Sequence, residues 1–172
     1  MRAPLLVSEH EYLTTTYQPD REYDDGELQE RNLGERPHSI LQREFVVYLH
    51  NLRKRFGTEV FVEQRIRIAP HKYRIPDVCV YLEPAPREGI FDTPPFIAIE
   101  ILSPDDTMSR VRKKIDEYLA CGVANVWLID PYRRRADVFT RSQIYSPADS
   151  ILRTEDPAIE VPLAELFQAI DE

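Results

Sequence analysis

Two carboxylates and one lysine stand in this sequence where the surrounding pattern gives a charge little reason to be. Phe96–Leu102, FIAIEIL, is an apolar run rich in β-branched residues with Glu100 near its end. Its length suits a strand buried on both faces, where an ionised side chain persists only if something pairs with it. A lone ion there costs on the order of several kcal/mol or keeps its proton. Asp77, 23 positions earlier, follows Pro76 and opens DVCVYL, a second strand. Two carboxylates on neighbouring strand ends can hold a hard divalent cation, Mg²⁺ or Mn²⁺, which takes one or two protein carboxylates together with water. The backbone carbonyl of Ile101 is a further candidate ligand. A structural pair bonded to arginine or backbone is the alternative for the same two acids.

The lysine comes from the next element. Ser103-Pro104-Asp105 signals a helix start, and the helix runs to about Cys121, closed by Gly122. Val111, Ile115, Tyr118, Leu119 and Gly122 define its apolar face. At about 100° per residue Lys113 falls in the middle of the solvent face, whereas Lys114 lies at the edge of the buried stripe. An ammonium reaching inward from Lys114 can orient a water nucleophile and offset charge on a phosphorane-like transition state. Gln64 shares a strand face with Val62 and Ile66, as a buried amide open to a role beside a metal or to a structural hydrogen bond. Arg74 and Arg112 are the cations expected to meet substrate. His38, at the start of a long helix, reads as a cap or solvent residue, and His10, His50 and His71 lack zinc spacing. Arg133-Arg134-Arg135 reads as a solvated turn.

The elements that must position these groups follow from periodicity. Ser8 and Glu11 form a capping box for a short helix. Arg21–Glu30 carries an Asp25-Gly26 turn between two extended pieces. From His38 to Phe56 apolar residues recur at helical spacing, with Gly57 as C-cap. Glu59–Ala69 alternates as one half-buried strand, His71–Arg74 reads as a polar connection, and Pro84–Pro95 as a proline-rich loop. NVWLID (Asn125–Asp130) is a core strand, followed by a turn and the strand ADVFT (Ala136–Thr140). Gln143–Tyr145 and Ile151–Arg153 read as edge strands and Leu163–Ile170 as a closing helix. A helix joining FIAIEIL to NVWLID makes those strands parallel, and the earlier strands an antiparallel meander.

A chain of 172 residues, 42% hydrophobic, holds one domain with a sizeable core. The net charge of -8 gives no overall pull toward nucleic acid, but it is unevenly spread. Asn51–Ile75 carries seven Lys or Arg against two acids and Met108–Arg135 seven against three, whereas the tail from Ala136 has eight acids against two Arg. Cys79 and Cys121 read as buried reduced thiols, and with no signal pattern or membrane-length apolar run the expected compartment is the cytoplasm.

Taken together, DGEL (Asp25–Leu28), EQRIRI (Glu63–Ile68), RIPDVCV (Arg74–Val80), IEILSP (Ile99–Pro104) and the K-x-x-x-Y of Lys114 and Tyr118 resemble the Uma2 family of restriction-type endonucleases, within the PD-(D/E)XK nuclease superfamily. The resemblance implies an α/β fold with a restriction-endonuclease-like core, in which helices flank a mixed central sheet made of an antiparallel meander plus a parallel crossover strand. It implies a single nuclease-like domain over 1–172, with the family core at about 8–139 and a C-terminal extension at 140–172. The implied activity is Mg²⁺- or Mn²⁺-dependent hydrolysis of DNA phosphodiester bonds by a homodimer, with RNA open as a substrate. Asp77, Glu100 and Lys114 take the catalytic positions, Asp77 and Glu100 those of metal ligands, and Glu22 matches an acidic position that the family carries before DGEL, where it either completes the metal shell as an accessory group or stands as a plain surface residue. The superfamily's lysine usually stands two residues after the second acid. Leu102 occupies that place here, and the Uma2 pattern resembles a version in which the lysine has moved to the helix. The competing reading, favoured by the acidic net charge, is a nucleic-acid-binding or assembly module on the same fold with little catalysis.

Overall fold

The computed structural model describes residues 6–32 and 34–172. In chain order the elements are α1 (Glu9–Thr14), β1 (Arg21–Asp24), β2 (Glu27–Glu30), α2 (Arg36–Asn51), α3 (Arg53–Phe56), β3 (Thr58–Val62), β4 (Ile66–Ala69), β5 (Lys72–Arg74), β6 (Val78–Leu82), β7 (Ile97–Ile101), α4 (Met108–Cys121), β8 (Asn125–Asp130), β9 (Arg135–Phe139), β10 (Ile144–Tyr145), β11 (Ile151–Arg153), β12 (Glu160–Pro162) and α5 (Leu163–Gln168). The central sheet runs β10-β9-β8-β7-β6-β3. Its pairs are antiparallel except β7 with β8, which the α4 crossover makes parallel. The fold is thus the expected mixed α/β arrangement with flanking helices.

Strand alternation sorts side chains between the two faces of this sheet. Ile97, Ile99 and Ile101 of β7, with Val78 and Val80 of β6, pack under Leu41, Phe45 and Leu49 of α2. Ala98 and Cys79 fall on the opposite face, with Val111, Ile115 and Tyr118 of α4. Glu100 has the parity of Ala98 and so points to the α4 side, while Asp77 stands just before β6, where its carboxylate meets His38 of α2. The register pairs Val78 with Ile99 and Cys79 with Ala98.

A second antiparallel sheet, β2-β1-β5-β4, closes over α4. Tyr23 and Tyr73 on its outer face stack with Tyr12 of α1, at ring distances of 4.8 and 5.4 Å. Glu22 falls on the opposite face of β1. The β11–β12 hairpin and α5 add Leu152, Val161, Leu163, Leu166 and Phe167 to the core on the α2 side. Among the described residues no helix is long and apolar enough to cross a membrane.

Four boundaries differ from the sequence expectation. The single strand Glu59–Ala69 is two strands in two sheets, because the chain turns at Glu63, whose φ of 49° lies in the left-handed region. Alternation continues across such a corner and hides it. His71–Arg74 is not a connection: Lys72–Arg74 forms β5, paired with both β1 and β4. The helix expected from Ser103 begins at Met108, since Asp106 Oδ2 accepts from Ser103 N at 2.7 Å and holds Ser103–Asp106 as a turn. The helix expected over His38–Phe56 breaks at Leu52 into α2 and α3, and Gly57 closes it at φ 68°.

Candidate active site

A cavity of about 50 Å³ opens where β6 and β7 end, beneath the first turns of α4, and Glu22, Asp77, Glu100 and Lys114 all line it. Asp77 is held from three sides. Its Oδ2 accepts from Ile101 N at 2.7 Å and stands 3.2 Å from His38 Nε2, while Oδ1 accepts from Arg31 Nη2 at 2.9 Å. The Asp77 carbonyl accepts from Gln42 Nε2 of α2, which fixes the backbone as well. Glu100 accepts from Tyr118 OH at 2.7 Å and from Lys114 Nζ at 2.9 Å. Lys114 Nζ also lies 2.9 Å from Glu22 Oε1, so the ammonium bridges the central sheet and β1. Ile75 N donates to the same Glu22 oxygen.

These contacts decide the charge states. Burial works against the Lys114 ammonium, but Glu100, Glu22 and Asp77 overcome it and hold its pKa above the ordinary lysine value. Lys114 therefore stays protonated and acts as a donor, not as a base. Glu100 is pushed up to about 7 by burial and by the Asp77 and Glu22 charges, against the pull of Lys114. For Asp77 the burial penalty is outweighed by His38, Arg31 and Lys114, and for Glu22 by Lys114 and Arg74, so both carboxyls lie below their usual range. Burial lowers and Asp77 raises the His38 pKa, with a net rise that favours imidazolium.

The site thus gathers Asp77, Glu100, Ile101, Lys114 and Glu22. The Lys114 side chain is 14% exposed against 55% for Lys113, as the helix geometry required. Glu22, 1% exposed, is not a surface residue. Three other residues singled out in the sequence do not line the cavity. Gln64 sits at the corner between β3 and β4 and donates to the carbonyls of Arg65 and Gly89, away from the cavity. Arg74 is fully buried and donates to Glu117 at 2.7 Å and Asp24 at 3.2 Å, so no substrate reaches it. Arg112 lies on the exposed side of α4, over the Phe139 ring at 5.0 Å. Two site residues escaped the sequence reading. His38 is 7% exposed, because the start of α2 packs over the ends of β6 and β7. Arg31 lies in the irregular link between β2 and α2, where no periodicity marks a residue.

A family profile described as "Uma2: Putative restriction endonuclease" matches residues 8–169. The chain belongs to the Uma2 family. A crystal structure described as "a putative nuclease belonging to DUF820", from Anabaena variabilis, superimposes with a TM-score of 0.82 at 25% identity, over 95% of this chain and 99% of the other. A cryo-EM structure of a DrdV–DNA complex gives a TM-score of 0.47 at 16% identity, over 81% of this chain and 12% of that one. No curated protein matches the sequence.

Restriction-type nucleases of the Uma2 kind raise the question of whether this site suits a divalent cation. Among the described residues no three His, Cys, Asp or Glu side chains are grouped closely enough to form a metal cage by themselves. A hard divalent cation keeps waters and needs only one or two protein carboxylates. The candidate donors, the Asp77 and Glu100 carboxylates and the Ile101 carbonyl, are oxygen. Burial, first of all, raises the Glu100 pKa despite Lys114, so a further cation beside it would favour its ionised form. Such a donor set fits a hard divalent cation.

Proposed function

We propose that this chain is an endonuclease that hydrolyses phosphodiester bonds in DNA with Mg²⁺ or Mn²⁺ as cofactor. One observation carries the reading against a non-catalytic module: Asp77 and Glu100 line one cavity with a protonated Lys114 beside Glu100. A binding module has no use for two buried acids and a buried lysine gathered at one cavity. Asp77 and Glu100, with the Ile101 carbonyl, would hold the cation, which when bound supplies Lewis-acid polarisation of the phosphate and of a coordinated water. Lys114 donates a hydrogen bond to the attacking water and offsets negative charge as the phosphoryl group expands. Glu22 keeps that ammonium in place from the far side, and Tyr118 fixes the rotamer of Glu100.

We extend the proposal to one domain over 1–172, since β11, β12 and α5 share a core with α2. It also includes a homodimer, which cutting both strands of a duplex calls for, and the cytoplasm, where the free thiols of Cys79 and Cys121 would stay reduced. The test is cleavage of supercoiled plasmid by the purified protein with Mg²⁺ or Mn²⁺. Wild type nicks the plasmid and EDTA stops it, while Asp77→Ala and Glu100→Ala lose cleavage at least about 100-fold with folded spectra. Undiminished cleavage by either variant refutes the assignment.

A further inference from the structure

We infer that Arg31 is the group a divalent cation displaces from Asp77, and that the freed guanidinium then grips the phosphate of the bound nucleic acid. The inference rests on reading Asp77 as a metal ligand. The two oxygens of Asp77 are held by unlike partners. Oδ2 is fixed by regular elements, through Ile101 N of β7 at 2.7 Å and His38 of α2 at 3.2 Å. Oδ1 is covered by Arg31, which comes from the link between β2 and α2. The second anchor of Arg31 is Glu63 on the rim, 3.4 Å from Nη1 and 53% exposed. Arg31 can therefore leave Asp77 without moving a strand or a helix, whereas Lys114 is held between Glu22 and Glu100. A guanidinium also matches a phosphate through two parallel donors, which a point charge cannot do. Arg31 thus neutralises Asp77 until metal arrives and lines the cavity in which the phosphate would sit.

The test is calorimetric titration of Mn²⁺ into DNA-free protein, paired with single-turnover cleavage of supercoiled plasmid at saturating Mn²⁺. Arg31→Gln binds Mn²⁺ about tenfold more tightly than wild type, because one charge-assisted bond no longer competes. The same variant cleaves about 100-fold more slowly. Arg110→Gln removes a charge lining the same cavity but bonded to the Glu30 carbonyl, and its Mn²⁺ affinity stays within about twofold. Arg31→Lys keeps the charge and loses the fork, so it falls between wild type and Arg31→Gln in both measurements. A wild type that binds no Mn²⁺ overturns the reading of Asp77 and this inference with it. Mn²⁺ binding by wild type that Arg31→Gln fails to tighten, or that Arg110→Gln tightens equally, overturns the displacement alone. Tighter metal with undiminished cleavage overturns the phosphate role.

Discussion

Replacing Arg74 with methionine tests whether its charge serves the fold or the substrate. The guanidinium is fully buried, 2.7 Å from Glu117, 3.2 Å from Asp24 and 3.7 Å from Glu22. Burial opposes the charge, but these carboxylates hold the Arg74 pKa above its ordinary value. Removing one partner from a buried ion network costs about 3–5 kcal/mol, since uncompensated charge stays behind. Here each acid keeps a second cation: Asp24 has Lys72 and Lys113, Glu117 has Lys72, and Glu22 has Lys114. The expected loss is therefore at the lower end, about 3 kcal/mol. In a chain of this size that lowers the melting temperature by roughly 6–12 °C. Thermal melts in EDTA of wild type, Arg74→Met and Arg74→Met/Glu117→Gln provide the measurement. The double variant should recover about 1 kcal/mol or more, because the orphaned acid has gone. The reasoning is refuted if Arg74→Met melts within about 2 °C of wild type while losing DNA affinity, the pattern of an exposed phosphate contact.

Two further predictions concern the site. Glu100→Gln should stabilise the metal-free protein while abolishing cleavage. A carboxyl raised from 4.5 to about 7 contributes its full stability below pH 4.5 and loses it as pH rises through about 7, which amounts to about 3 kcal/mol by pH 8. Losing the Lys114 hydrogen bond returns about 1 kcal/mol, so urea denaturation in EDTA at pH 8 should show a net gain of about 2 kcal/mol that vanishes near pH 5. A variant less stable than wild type at pH 8 would contradict the raised Glu100 pKa. Tyr118→Phe removes the 2.7 Å donor to Glu100 and leaves the ring in the core, so plasmid cleavage should fall about tenfold with stability changed by about 1 kcal/mol. A cleavage rate equal to wild type would show that Glu100 is positioned without it.

The sequence read most clearly where one environment spans a whole element. FIAIEIL and NVWLID are buried throughout, and α4 shows its apolar stripe cleanly enough to separate Lys113 from Lys114. Asp77 and Glu100 were legible because a charge in an apolar strand is anomalous by itself. What failed was anything decided by where a strand leaves its sheet. Gln64 sits at a corner that alternation does not register, so the face assigned to it from Val62 and Ile66 does not exist. Arg74 reads as available only while His71–Arg74 reads as a connection, because it is the pairing of β5 that buries Arg74 among acids from β1 and α4. His38 and Arg31 belong to the site through contacts made some forty residues further along the chain, at Asp77, which no local window contains.

The position of the lysine makes physical sense of the departure at Leu102. β7 ends at Ile101, and Leu102 N donates to the Ile129 carbonyl, so the chain at this point is still tied to β8. The Leu102 side chain packs against the core on the α4 side. A lysine there would have to give up that contact to bring its ammonium back to Glu100. Lys114 reaches Glu100 from the opposite wall at 2.9 Å and meets Glu22 at the same distance. An ammonium carried on α4 is therefore set by three elements, β1, β7 and the helix, instead of by one strand end. Glu22 belongs to the same solution, because a lysine approaching from α4 leaves one side toward β1 that needs an anion. Glu22 and Lys114 thus form one buried ion pair, and Glu22→Gln should loosen Lys114 and slow plasmid cleavage about tenfold without altering Mn²⁺ affinity more than about twofold. An unchanged cleavage rate in that variant would separate the two features and leave Leu102 without this explanation.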